Sequence, residues 1–530
     1  MIIDFREAAA RATYEADVCV IGAGAAGITI ASELINSGRT VIVLESGGLE
    51  RSEDVQALQL AGESGVPVAL QATRVRGLGG TTAAWDGWCT PLDEIDFTER
   101  DWVPHSGWPI TRQELLPFYE RAQARCKLGK YAYRVSDWPE LAKQALALDP
   151  EKLETKLWHL SIPPVQFGQA HADALRGASN VTLLLHATAT EILTDENGKH
   201  VSEVRIADLG GAAAMVRASV YVIACGGIET PRLMLASNRV QTSGLANDYD
   251  MVGRFFMEHP HTDSGGVYLT AAPEAIWYYV HYLKGRFVVA PGLGPSASVQ
   301  RQLRILNSSI VVRRPLLSEP SEGWDSLVKF SRGMRNERWP DSATTHLYNI
   351  LRDVDDVVRE GYLRLRSGPV KAYALMAKAE VAPNPANRIT LEDERDALGV
   401  NRARLRWATS ELDRVTVETT MKLVASELGR LGIGRVRINE LLLEPDQKWI
   451  ENLDWFGHHL GTTRMSLGPR TGVVDRDCRV HGVDNLFVSS AAVFPTGGYA
   501  DPTLTIVALA VRLADHIRST VPGVADQADI

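Results

Sequence analysis

Cysteine is scarce and shows no pairing pattern. The 530 residues contain five, Cys19, Cys89, Cys126, Cys225 and Cys478, scattered and without a CxxC spacing. Such a set argues against a disulfide scaffold or a thiolate metal site, and reads as reduced core thiols of a cytoplasmic protein. No stretch approaches ~18 consecutive apolar residues, and the opening MIIDFREAAARATYEAD is too polar for a secretory signal, so neither membrane association nor export is expected. Basic runs are also missing: 56 Lys and Arg stand against 65 Asp and Glu, a net charge of −9, which disfavours a nucleic-acid surface. Internal repeats and low-complexity tracts are absent as well.

What is present begins with a soluble globular composition, 45% hydrophobic and 23% charged. The length exceeds one ordinary domain, so two or three are expected. The chain is organised around Asp17 to Ser46. The buried-strand run Val18-Cys19-Val20-Ile21 passes into Gly22-Ala23-Gly24-Ala25-Ala26-Gly27, a helix expected over Ala26 to Ser37 ends at Gly38, and a second strand, Thr40 to Leu44, closes on Glu45. This is the dinucleotide-binding βαβ pattern. Gly22 permits the tight turn, Gly24 lets a pyrophosphate approach the backbone, and Gly27 lets helix and strand pack closely. Phosphates would then meet free N–H groups at the positive end of the helix dipole, and Glu45 would hydrogen-bond ribose hydroxyls. The motif alone does not separate FAD from NAD.

Further along, Gly79-Gly80-Thr81-Thr82 reads as a backbone nest for an anion or a flavin edge, or as a plain surface loop. Thr111 and Glu114 form a capping box at a helix start. Residues 140 to 180 are expected to be helical and then loop-like, punctuated by Pro163-Pro164. Strands are expected at Val181 to His186, Thr188 to Leu193, Val201 to Ile206, Ser219 to Ala224, Arg286 to Ala290 and Ser309 to Arg313, with a hairpin turn at Asn197-Gly198. Ser318 to Asp341 reads as an amphipathic surface helix, with a lid as the alternative, and Glu411 to Leu431 as a long helix stopped by Gly432. Near the end, Gly457-His458-His459-Leu460-Gly461-Thr462-Thr463-Arg464-Met465 precedes Asp501-Pro502 and an apolar helix ending near Ile517. Asp501 stands at the cap position and Pro502 in the first turn.

Several of these stretches together resemble the glucose-methanol-choline (GMC) family of FAD-dependent oxidoreductases. They are the Gly22 to Gly27 turn, the Gly79-Gly80 loop, Gly226-Gly227-Ile228-Glu229-Thr230-Pro231, Val252-Gly253-Arg254 to His259-Pro260, Pro383-Asn384-Pro385, and His458 to Met465 with Asp501-Pro502-Thr503. The likeness is greatest to the bacterial branch near pyranose and glycoside oxidases. It implies an α/β fold: a Rossmann-like FAD domain assembled from residues 1–95, 180–261 and 455–530, and an α+β substrate domain with an antiparallel sheet from 96–179 and 262–454. It also implies FAD contacts at Gly22, Gly24, Ala25, Gly27, Glu45, Arg76, Gly79, Gly80, Thr81, Ala84, Trp85, Ala189, Ala224, Ala492, Asp501 and Thr503. Substrate contacts fall at Trp88, His259 and His459.

By the same resemblance His458 faces flavin N5 and takes the hydroxyl proton of an alcohol, sugar, glycoside or polyol, while the carbinol hydride passes to FAD. Oxygen or another acceptor would then reoxidise the cofactor. An imidazole suits the task, since its ordinary pKa near 6.5 lets it accept and return a proton. Three departures stand out. Ala84 occupies the place of a tethering histidine, so FAD is expected to be non-covalent. Ser490 replaces an acid near the cofactor. Asp501 replaces the Asn or His that partners the base; it is read either as a helix cap or as a carboxylate that pairs with His458 and raises its pKa by roughly a unit or more. Trp85, Trp88, Trp102 and Trp108 form a sugar-stacking wall or ordinary packing. Glu258-His259-Pro260-His261 lacks a second ligand pair, so no metal is expected. Two other readings remain, a lyase on the same scaffold with His458 as base, and a flavin-binding protein without redox turnover.

Overall fold

Val18 to Ile21 and Val41 to Leu44 are each at most 3% exposed, as strands covered on both faces must be. In the computed structural model they lie side by side at the centre of a sheet. The structure describes residues 1–7, 12–276, 278–279, 282–285, 287–315, 322–335, 343–358, 361, 372–444, 449–450, 453–454 and 457–521. The sheet runs Ile2–Asp4, Val181–Leu185, Val41–Leu44, Thr13–Ile21, Ala213–Ile223, Val201–Ala207, Thr188–Thr194, with Leu486–Val488 also paired to Ala213–Ile223. Its central pairs are parallel, Val18 against Val41 and Val20 against Val222.

A second, antiparallel sheet runs Gly434–Ile438, His261–Leu269, Ala372–Ala379, Ser308–Pro315, Phe287–Pro295, Leu153–Ser161, Trp88–Cys89. Alternation sets its two faces. Leu375, Ala377 and Ala379 pack with Val417, Met421 and Val424 of the helix Glu411–Arg430. Lys378 is turned to the opposite face, where Trp158, Ala290, Val311 and Tyr499 form a smaller cluster with Trp88. A third sheet joins Arg388–Arg395, Asn401–Trp407 and Ala61–Gly65.

Several expectations hold closely. Thr111 Oγ1 accepts from the Glu114 amide at 3.2 Å, and the Thr111 amide donates to the Glu114 carboxylate at 2.8 Å, completing the capping box. The long helix is Glu411–Arg430 and Gly432 follows it with φ of 68°. Others need correction. The first helix is Ala25–Glu33, shorter than expected, with turns carrying the chain to Gly38. Leu153–Ser161 is a strand next to the edge of the second sheet, between Phe287–Pro295 and Trp88–Cys89; its Glu154 and Lys156 mask a largely buried segment, and the apolar spacing mimics a helix. The helix read in Ser318 to Asp341 is Glu322–Arg335, and residues 318–321 and 336–341, like Arg286, lie outside the described residues.

The division of the chain also differs. Trp88–Cys89 belongs to the antiparallel sheet, and Ala61–Gly65 to the third. The helix Arg112–Arg125 packs on the C-terminal helix Thr503–Thr520, with Tyr119 Oη and Thr505 Oγ1 2.8 Å apart, and its Arg125 pairs with Glu33 of the first helix at 2.7 Å. Segment 96–179 thus supplies both a helix against the C-terminal helix and the strand Leu153–Ser161 of the antiparallel sheet.

Packing at the nucleotide turn has no slack: a Cβ on Gly27 would sit 1.9 Å from the Gly22 carbonyl oxygen. Gly27→Ala must push helix from strand, and is expected to cost about 1–3 kcal/mol, read as a lowered thermal unfolding midpoint. An unchanged midpoint would show that the turn relaxes freely.

Candidate functional site

A cavity of about 380 Å3 runs between the first and second sheets, from Gly24 and Glu45 at one end to Lys378 and Asp501 at the other. At the first end the helix Ala25–Glu33 starts at Gly24, which makes no side-chain cap, so its first amides are open to the cavity. Glu45 is 5% exposed and accepts from the amides of Gly47 at 2.8 Å and Ala23 at 2.9 Å. Burial raises its pKa despite these bonds.

Midway stands a charge cluster that the sequence pattern does not reveal. Glu229 receives Arg74 and Arg76 at 2.6 Å each and Arg232 at 2.9 Å. Burial opposes its ionisation, but the three guanidiniums hold the carboxyl down at about 2. Arg76 also donates to Ser46 Oγ at 2.8 Å. Glu229 stands in the Gly226 to Pro231 motif with Arg232 three residues on, yet Arg74 and Arg76 lie 155 and 153 residues earlier in the chain and meet it only through the fold.

At the far end Gly457, with φ of 78° and Thr73 O 2.8 Å from where a Cβ would be, turns the chain so that His458 enters the cavity. The His458 amide donates to Glu258 Oε1 at 2.8 Å. Its Nδ1 is 3.1 Å from Nδ1 of His259, and its Nε2 is 3.6 Å from Asp501 Oδ1. Asp501 does not cap a helix. The helix begins at Thr503 with Pro502 as N-cap, while the Asp501 carboxylate accepts from Lys378 Nζ at 3.0 and 3.1 Å and from Trp158 Nε1 at 2.9 Å. Lys378 Nζ also sits 4.4 Å from the centre of the Trp88 ring. The His458 pKa is accordingly pushed down to about 3, by burial first and then by the Lys378 ammonium, opposite to the rise expected from Asp501.

Two family models match the chain: FAD dependent oxidoreductase over residues 17–324 and GMC oxidoreductase over 383–510. The chain belongs to the FAD-dependent GMC oxidoreductases. Curated relatives span nearly all of its length. The fructose dehydrogenase large subunit of Gluconobacter japonicus is 24% identical, covering 95% of this chain and 98% of the relative. The 6'''-hydroxyparomomycin C oxidase of Streptomyces lividus is 25% identical, covering 95% and 91%. The crystal structure of pyridoxine 4-oxidase from Mesorbium loti shares the fold with a TM-score of 0.57 at 17% identity, over 95% of this chain and 99% of that one.

FAD is the cofactor of this GMC oxidoreductase. The cavity fits it: open helix amides and the close Gly24 and Gly80 backbones could take the pyrophosphate, and buried Glu45 the ribose. Of the expected contacts, Gly22, Gly24, Ala25, Glu45, Arg76, Gly80, Thr81, Ala84, Trp85, Ala189, Ala224, Asp501, Thr503, Trp88, His458 and His459 all line the cavity. Gly27, Gly79, Ala492 and His259 do not. Gly27 faces the strand, the Gly79 amide donates to Ala23 O at 2.9 Å, Ala492 lies behind the wall as the Thr463 amide donates to its carbonyl, and His259 is buried behind His458. Ser490 lines the cavity and caps a short turn, accepting from the Ala492 amide at 3.2 Å.

Of the four tryptophans, Trp85 and Trp88 line the cavity. Trp102 and Trp108 are packing residues, donating to Ile305 O at 3.0 Å and Thr496 Oγ1 at 2.9 Å. Among the described residues His261, His458 and Asp501 bring three potential ligand atoms within 4.8 Å of one another. The Lys378 ammonium already holds both oxygens of that carboxylate, so a cation there would face a positive charge.

His259 and His458 both titrate near 3 in the folded chain, against an ordinary 6.5, chiefly because they are buried. The unfolded chain therefore takes up their protons first. The stability they contribute is complete above pH 6.5 and is lost as pH falls from 6.5 toward 3, by about 1.4 kcal/mol per unit for each. Thermal unfolding between pH 7 and 5 should show a falling midpoint; a flat profile would contradict the burial of these rings.

Proposed function

We propose that this enzyme oxidises a CH–OH group of a sugar, glycoside or polyol-like alcohol, with His458 as the base. The observation that carries this reading is the His458 imidazole at the cavity wall, with Nδ1 against His259 and Nε2 toward the Asp501 end, where burial disfavours its charged form. A proton on His458 Nδ1, donated to His259 Nδ1, leaves the Nε2 lone pair free to receive the hydroxyl proton. Bound FAD supplies the two-electron oxidant that takes the carbinol hydride, so the substrate leaves as a carbonyl compound. Trp88 and the Lys378–Asp501 pair shape the substrate end, and Trp85 shields the wall beside it. The sheet bearing the glycine turn serves as the FAD domain, and the antiparallel sheet carrying Lys378 and His261 walls the substrate.

The acceptance of sugar-like hydroxyls rests on the names of the full-length relatives, which act on fructose and a hydroxyparomomycin. FAD is held without a covalent bond in this reading, because Ala84 presents only a methyl group to the cavity. Acid precipitation should release the yellow colour to the supernatant.

The test is an anaerobic spectral titration of the yellow protein with sugars, glycosides and polyols, followed by admission of air. Bleaching by a member of the panel is expected, and recolouring in air would show oxygen as acceptor. Failure of any of them to bleach bound FAD would favour a lyase or a flavoprotein without turnover. His458→Ala should lower the rate of bleaching by 10²–10⁴ while retaining FAD.

A further inference from the structure

The substrate end of the cavity holds a buried ion pair that neither the family models nor the relatives' names assign a role. Lys378 is 2% exposed and Asp501 6%, and both line the cavity. Lys378 reaches this place by register: in the antiparallel sheet it stands opposite His261 on one side and Ser309 on the other. Its alternation turns it away from the helix Glu411–Arg430 and toward Asp501 of the C-terminal loop. Both carboxylate oxygens are engaged, at 3.0 and 3.1 Å, and Trp158 Nε1 takes one of them as well at 2.9 Å. His458 Nε2 lies 3.6 Å from the other oxygen.

We propose that Lys378 is a positioning residue of the alcohol site: by pairing with Asp501 it cancels the carboxylate's charge and so keeps His458 uncharged and available as base in mildly acidic solution. This rests on the reading of His458 as base. An isolated carboxylate 3.6 Å from an imidazole would favour the imidazolium, which cannot accept a proton. A buried carboxylate without its ammonium would also be costly, so the two charges are kept together.

The other groups facing this cluster do not supply that compensation. His259 meets His458 at 3.1 Å and the His261 ring stands 5.8 Å from it, and burial holds both well below their ordinary pKa and uncharged. Glu258 accepts from the His458 amide and stands 3.5 Å from His459 Nε2. Arg74 acts on His459, and Arg313 and Asp86 act on Lys378 with opposite signs from the cavity wall. Among the described residues, Lys378 is the lysine or arginine paired with Asp501.

The experiment compares Lys378→Met, Lys378→Arg, Asp501→Asn and the Lys378→Met/Asp501→Asn double variant. It reads the pH dependence of anaerobic flavin reduction and, in the apoprotein, the imidazole resonances of His458, assigned with His458→Gln. Lys378→Met should move the acid limb and the His458 titration up by at least about one pH unit. Lys378→Arg should leave both near the native position, and the double variant should return them there, because removing both charges leaves nothing to bias the ring. Asp501→Asn, with its ammonium unpaired, should give no upward shift. A limb and a titration unmoved in Lys378→Met would overturn the proposal. So would an upward shift that persists in the double variant, since it would then owe nothing to the carboxylate. If Lys378→Met does not fold, Lys378→Gln takes its place and is read by the same criteria. Full activity in His458→Ala would instead overturn the base assignment itself, an outcome distinct from any of these.

Discussion

The molecule depends on one three-residue stretch of strand. Tyr221, Val222 and Ile223 pair on one edge with Cys19, Val20 and Ile21 and on the other with Leu486, Phe487 and Val488. Head and tail of a 530-residue chain are thereby hydrogen-bonded to the same short segment, all of it buried. Each of these strands delivers a functional loop at the same end of the sheet, as parallel strands with a common direction must. The first delivers the glycine turn, the second Cys225 to Glu229, and the third the run from Ser490 to Thr503. The cavity is what lies between these loops and the antiparallel sheet.

The second sheet contributes differently. Its far face rests on the helix Glu411–Arg430, which lets its near face carry polar groups toward the cavity, Lys378 and His261 among them. Burial then becomes the main determinant of their chemistry. Histidines that would titrate near neutrality are held uncharged, whereas Glu229 and Asp501 are matched by cations. The interior thus separates two kinds of polar group: rings that stay neutral because burial disfavours their charge, and acids that meet cations drawn in part from distant segments.

Asp501 shows how a local reading and a spatial one can part. Aspartate before Pro-Thr at the head of a helix fits an N-cap, and isolated from the rest of the chain that would be its best partner. In the fold a lysine from a strand 123 residues earlier offers a full charge at hydrogen-bond distance in a dry site. That attraction exceeds what a helix amide provides, so the carboxylate turns to the lysine.

What the sequence alone determined is whatever depends on neighbours along the chain. The Gly22 to Gly27 turn, the capping box at Thr111, most strands of the first sheet, though not Ile2–Asp4 or Leu486–Val488, and the His458 motif were legible because glycine geometry, caps and hydrophobic period are local properties. Tertiary structure decided what depends on register between segments far apart: the strand Leu153–Ser161, concealed by its own charges, the Glu229 cluster with Arg74, Arg76 and Arg232, and the Lys378–Asp501 pair. A charge in a sequence does not announce its partner. Only the packing of the sheets establishes which charges share a dry interior, and hence which protonation states the site must hold.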